Sequence, residues 1–265
     1  MGNYKQLDSI PILKQTVNNV DAFYFTDEEK ANCSNNHFTS VSQLDDSKSH
    51  LPQFDLKTHS ELSNIEIQQS LIEDIISSLD LNKAVGPDCI SHRVLNATQL
   101  TISKPLCNLF NKSLHEGVFP RQWKHALVIP LFKKGEKSCP SNYRPISLLS
   151  CLGKLMERCV YKHMYNYLIS HNLIYANQSG FFTGHYTVCQ LIDLYHQTAQ
   201  SFDHKTHTCV VFCDISKAFD RVWHSGLLFK IKQLGIRGDL LTWIENYLRN
   251  RQQQVLIWPV SISFK

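Results

Sequence analysis

The residues best suited to chemistry begin with Asp214, which closes the run Thr208-Cys-Val-Val-Phe-Cys-Asp214. Five residues rich in Val, Phe and Cys, bounded by polar Thr208 and by Asp214, predict a buried strand that delivers one carboxylate at its end. A carboxylate held there suits a hard divalent cation, because Mg²⁺ is usually bound by one or two carboxylates plus substrate phosphates. An Asp that only caps the turn after the strand would leave the same local pattern. Asp220 is a second acid, but beside Arg221 it reads as a cap or an ion-pair partner. The basic counterparts are Lys133 and Lys134 before Gly135, and Arg144 after a short loop. Arg offers a fork of donors to phosphate and Lys a point charge. Two lysines at a hairpin tip would equally make a solvated turn.

The stretch Asp214-Ile-Ser-Lys-Ala-Phe219-Asp220-Arg-Val222 resembles the first palm motif of reverse transcriptases of the non-LTR, LINE-like retrotransposon class. The resemblance implies that Asp214 is one of the carboxylates holding two catalytic Mg²⁺ ions and that the backbone carbonyl of Ile215 faces a metal. It also implies that the ring of Phe219 lies under the incoming sugar, where it would exclude a 2′-OH by steric conflict. A two-metal clamp with ions about 4 Å apart supplies the charge neutralisation and in-line positioning that phosphoryl transfer needs.

Further motifs follow in the family's order. Lys133-Lys134-Gly135 and then Asn142-Tyr-Arg144-Pro-Ile-Ser-Leu-Leu resemble the LINE-like fingers signature, the most specific match in the chain. This implies that Lys133 or Lys134, together with Arg144, reaches the triphosphate of a deoxynucleoside triphosphate. Lys83-Ala-Val-Gly86-Pro87-Asp88 resembles the segment that precedes the fingers and lies near template. Asn177-Gln178-Ser-Gly180-Phe181-Phe182-Thr-Gly184-His-Tyr186-Thr resembles the family's Gln-x-Gly-Phe-Arg-x-Gly-x-Ser-Thr, with Phe182 in place of Arg and Tyr186 in place of Ser. By the same resemblance Lys83, Gly86, Pro87, Asp88, Gln178, Gly180 and Phe181 are candidate contacts to an RNA template and DNA primer. Thr26-Asp-Glu-Glu-Lys-Ala-Asn and His37-Phe-Thr-Ser-Val resemble the linker before the polymerase. In the family a Gly-x-Pro-Gln-Gly loop and an aromatic-x-Asp-Asp hairpin come next, and the chain reaches Lys265 before either, so the expectation is a fragment inactive by itself. A non-catalytic nucleic-acid-binding remnant is the alternative, and group II intron or telomerase enzymes are the runner-up relatives.

Composition narrows the field. The 265 residues are 43% hydrophobic, enough for a sizeable core in one or two domains. No stretch of about 18 consecutive apolar residues occurs, and no apolar signal core follows the N-terminus, so neither a membrane span nor secretion is expected. Gly2 invites a myristoylation reading, but Gln6 stands where Ser or Thr is required. The nine cysteines lack any Cys-x-x-Cys, and several, such as Cys159, Cys209 and Cys213, sit in apolar runs. That favours buried, reduced thiols in an intracellular protein, with nucleus and cytoplasm both open. The thirteen histidines show no convincing zinc spacing. The net charge of +4 divides into −8 over residues 1–82 and +12 over 83–265. The basic excess suits a polyanion, although a solvated basic face is the commoner meaning of charge alone.

The elements that must position these groups read as helices joined by short strands. Residues 1–60 are polar and irregular and predict a partly ordered linker with one short helix around Asp27–His37. From Asn64 the pattern turns helical, with Ile65, Ile72, Ile75, Ile76 and Leu79 on one face and Ser63 or Asn64 as N-cap. A second helix carries Leu106, Leu109, Phe110 and Leu114, with Gly117 at C′ and Pro120 as stop. Trp123 to Phe132 is strand-like, and Leu152 to Leu168 is a clear amphipathic helix. A helix burying Val188, Leu191, Ile192, Tyr195, Ala199 and Phe202 leads to the Asp214 strand. Two more helices follow, ended by Gly235 and Leu248, and then a final strand. The fold class is α/β (α+β), helix-rich with short strands. By resemblance it is a polymerase right hand, with residues 61–207 as fingers and adjoining helices and 208–265 as the start of an incomplete palm.

Overall fold

The computed structural model describes residues 9–17, 20–46, 48–51 and 53–257. Gly2 and residues 258–265 of the expected palm segment lie outside the described residues. The architecture is mixed α/β, rich in helix with short strands, and is built around two apolar cores.

The larger core gathers α2 (Gln69–Ser77), α3 (His92–Ala97), α4 (Gln99–His115), α5 (Cys151–Ser170) and α8 (Gly238–Leu248). Their stripes converge as helical spacing requires: Ile72 and Ile76, Leu106 and Phe110, Leu155 and Met156, and Leu240 are all nearly inaccessible. Phe119 keys the assembly, its ring edge-on to Trp123, Trp243 and Tyr247 with centroids 5.1 to 5.7 Å apart. Gly117 takes φ 64° just past α4, where Val118 N–H donates to the Ser113 carbonyl, so the expected glycine stop is observed. The expected start of α2 moves, however. Asn64 to Gln68 is not helical, because the Asn111 side chain accepts from Ile67 N–H at 2.8 Å and donates to its carbonyl at 2.9 Å. Those two bonds replace the helical ladder there and pull Ile67 into the core.

The smaller core lies under a three-stranded sheet of order β4-β3-β5. β3 (His125–Phe132) and β4 (Tyr143–Leu148) form an antiparallel hairpin, and β5 (Gln252–Val255) runs parallel to β3. Strand side chains alternate faces, so the register fixes which residues lie together. Ala126, Val128 and Phe132 share one face with Tyr143, Ser147, Gln253 and Val255. That face is covered by α1 (Asp27–Ser42) and the hairpin of β1 (Leu13–Val17) and β2 (Val20–Tyr24), through Leu13, Cys33 and Phe38. The lead-in therefore carries more regular structure than its polar composition suggests. α1 compensates for weak amphipathicity with a complete capping box, in which Thr26 Oγ1 accepts from Glu29 N–H and the Glu29 carboxylate from Thr26 N–H.

Two expectations fail in the region from 187 to 219. The helix is present as α6 (Thr187–Asp203), but none of its residues is buried, Val188, Leu191, Ile192, Tyr195 and Phe202 included. The run 208–213 forms no strand, and Val211, Phe212, Cys209 and Cys213 are exposed. A strand exists only through pairing, and β3 already has neighbours on both edges. β4 and β5 each keep one free side, but among the described residues the 208–213 run pairs with neither.

Candidate nucleic-acid interface

The uncovered face of the β4-β3-β5 sheet carries His125, Leu127, Ile129 and Leu131 of β3, Arg144, Ile146 and Leu148 of β4, and Gln252 and Gln254 of β5. Arg144 lies directly opposite Leu131, and both are exposed. Lys133 continues β3, its N–H donating to the Asn142 carbonyl at 2.9 Å, and Lys134 and Gly135 form the exposed tip. Gly135 adopts φ 90°, and any Cβ there would meet the Asn142 amide at 2.8 Å. The hairpin thus holds two lysines and an arginine at one end of an open sheet face.

At the other end of that face lies an open cavity of about 1060 Å³, lined among others by Pro87, Asp88, Arg121, His125, Arg251 and Gln254. The loop carrying Pro87 and Asp88 is held in place by Gly86, which is buried against the end of β4. A Cβ on Gly86 would lie 2.2 Å from the Leu149 carbonyl oxygen, so only glycine allows this approach. Gly86 is therefore a packing position, while Asp88 faces the cavity. Lys83 is exposed and pairs with Asp80 at 3.5 Å.

A second cavity of about 600 Å³ adjoins the first and shares Thr39, Ala126, Arg251, Gln252 and Gln253 with it. Phe219 and Asp220 line this one. Phe219 is 79% exposed, its ring edge-on to Phe181 at 6.0 Å. The structure thus brings together two residues from separate motifs. Asp214 and Ile215 are exposed on the preceding segment. Gln178 is exposed and donates to the Gly180 carbonyl, and nothing lies within 4 Å of a Cβ built on Gly180. The two cavities and the hairpin tip place most of the candidate residues around one sheet, with Asp214 and Ile215 on the segment leading to it.

Sequence reasoning missed Arg251, Arg121 and the three glutamines of β5. Arg251 bridges the two cavities: its guanidinium lies 4.7 Å from the Tyr247 ring centre and donates to the Tyr247 carbonyl at 3.1 Å. Lys124 is buried beside it, donating to the Asn246 carbonyl and side-chain oxygens at 2.6 and 2.9 Å. Burial first, and then the Arg251 charge, hold the Lys124 ammonium below its ordinary pKa. Both cations sit at the C-terminus of α8, where the helix dipole favours them. An Arg-x-Arg pair just past an apolar helix was the available signal.

The donors for a metal pair can be counted. Asp214 offers one carboxylate and Ile215 one carbonyl, and among the described residues no three His, Cys, Asp or Glu side chains cluster where a cation could sit. Two Mg²⁺ ions, each near-octahedral, need more oxygen ligands than these, so the described set does not fit the pair.

Comparison with known proteins agrees with this architecture. Residues 132–261 match the family described as reverse transcriptase (RNA-dependent DNA polymerase). The chain is 33% identical over 241 residues to a probable RNA-directed DNA polymerase from transposon BS of Drosophila melanogaster, covering 87% of this chain and 26% of that protein. It is 32% identical over 205 residues to the RNA-directed DNA polymerase from mobile element jockey of the same species, covering 77% and 22%. It is also 33% identical over 182 residues to the probable polymerase from the transposon X-element, covering 68% and 20%. The chain therefore carries a reverse transcriptase domain. That domain is homologous to the RNA-directed DNA polymerases of non-LTR retrotransposons, and the chain spans about a quarter of the length of these relatives. The family uses divalent metal ions.

Proposed function

We propose that this chain is the nucleic-acid- and nucleotide-gripping part of an RNA-directed DNA polymerase that copies retrotransposon RNA, with residues 61–207 as fingers and 208–265 as the opening of the palm. One observation carries the reading: a sheet face left open beside a covered one, with Lys133, Lys134 and Arg144 at one end and the cavity of Pro87, Asp88, Arg121 and Arg251 at the other. An RNA template and DNA primer would lie across this face, their phosphates met by the basic residues and their bases by Leu131, Ile146, Gln252 and Gln254. The lysines and Arg144 would hold the triphosphate of a deoxynucleotide. Phe219 is exposed beside its cavity rather than filling a core, at the end of β3 away from the lysine tip. Asp214 and the Ile215 carbonyl would contribute to holding Mg²⁺, with the remaining ligands supplied from outside the described residues. The nine free cysteines support an intracellular setting.

Binding is tested with a fluorescent RNA–DNA primer-template. Affinity should fall by orders of magnitude between about 50 and 200 mM salt if six or more phosphates are engaged. Arg144→Ala should weaken it evenly across sequences and lower the salt slope by about one. Salt-independent binding contradicts the reading. The second reading, nucleic-acid binding without catalysis by the isolated chain, is favoured by the incomplete donor set. Primer extension with deoxynucleotides and Mg²⁺ that Asp214→Ala abolishes would exclude it.

A further inference from the structure

We infer that Asp46, just beyond the end of α1, is a positioning residue that clamps the turn bearing Phe219 and Asp220 at the mouth of its cavity. Trp223 Nε1 donates to Asp46 Oδ2 at 3.0 Å across 177 residues of sequence. The indole is fixed from its other side by α7 (His224–Gln233): a Cβ on Gly226 would lie 2.3 Å from the ring, so glycine is what lets the tryptophan lie there. Upstream in the same turn, Lys217 holds φ 55°, a left-handed conformation unfavourable for a non-glycine residue, and its carbonyl accepts from Arg221 N–H at 3.1 Å. α1 is itself tied to the sheet, since Gln253 Nε2 donates to Asn35 Oδ1 at 3.1 Å and Thr39 Oγ1 at 3.3 Å.

The consequence is a continuous brace running from β5 through α1 to the Lys217–Trp223 turn. Thr39, Ser42, Leu44 and Asp46 form one wall of the 600 Å³ cavity, and Phe219, Asp220 and Trp223 form the facing wall. The α1-side partners Asn35, Thr39 and Asp46 lie outside residues 132–261, so the lead-in acts on the site from beyond the matched domain. The importance of this positioning for nucleic acid rests on the polymerase reading; the clamp itself does not.

The test uses the whole chain and the substitutions Asp46→Ala, Asp46→Asn and Trp223→Phe. Asn keeps a carbonyl acceptor, while Phe keeps a ring but loses the donor. Amide hydrogen exchange of residues 216–223 should quicken roughly three- to tenfold in Asp46→Ala and Trp223→Phe, the factor one net hydrogen bond supports. It should return toward the wild-type rate in Asp46→Asn, with α5 amides unchanged throughout. Affinity for a fluorescent RNA–DNA primer-template should fall and recover in the same order. Unchanged exchange in Asp46→Ala, no rescue by Asn, or an increase spread over α5 overturns the clamp. If the exchange pattern holds but wild-type chain binds no primer-template, the clamp stands and the polymerase reading falls.

Discussion

α5 and α6, of 20 and 17 residues, both present apolar side chains at helical spacing. Leu155, Met156, Cys159 and Val160 of α5 are buried, while Leu191, Ile192 and Tyr195 of α6 stand in solvent. The difference is not in the helices but in their surroundings. α5 meets α2 and the Phe119 cluster, whereas among the described residues no element buries the α6 stripe. Amphipathic spacing thus reports which face a helix could bury, and burial needs a second surface. The Cys159 thiol shows the effect of packing on chemistry, since burial pushes its pKa up to about 12. Such a thiol stays protonated and inert.

The largest contrast to measure is between side-chain truncations in the two helices. Met156→Ala should cost about 2 to 5 kcal/mol in urea denaturation, and Leu191→Ala should stay within about 0.5 kcal/mol. A loss above about 1 kcal/mol for Leu191→Ala would mean that the α6 stripe is covered in solution. Glycines sharpen the same comparison. Gly86→Ala must displace the Leu149 carbonyl and should cost about 1 to 3 kcal/mol, while Gly180→Ala meets nothing and should be near neutral. The smallest effect concerns α1. Thr26→Ala should cost about 1 kcal/mol. Backbone N–H groups of Thr26 and then Phe25 hold the Glu29 carboxyl below the usual range. Its contribution is therefore present above the ordinary carboxylate pKa and is lost as pH falls through the lowered one. A circular-dichroism helix signal that rises on acidification would contradict this.

Much of the fold was legible because local chemistry and packing agree there. The Lys133–Gly135 tip, the Gly117 and Gly235 stops and the α5 stripe each carry their own signal, and each is observed. The open sheet face was not legible, since which side of β3 is covered depends on α1, whose sequence is mostly polar. Nor was the non-helical segment at Ile67, where Asn111 overrides a helical pattern from 44 residues away. Phe219 and Phe181 were named from separate motifs, but their contact depends on two loops meeting. The place of Arg251 was not legible either, because its position at the junction of two cavities is a tertiary fact.

The central claim, that nucleic acid lies on the open face of the β4-β3-β5 sheet, is tested most directly by photo-crosslinking. A 4-thiouridine-substituted RNA template annealed to a DNA primer would be irradiated with the chain at low salt and the adducts mapped by mass spectrometry. The account predicts adducts within 87–90, 121–127, 144–148 and 252–254, diminished by Arg144→Ala and by added salt. Adducts confined to α6 or to residues 1–82, or unchanged by either treatment, would contradict it.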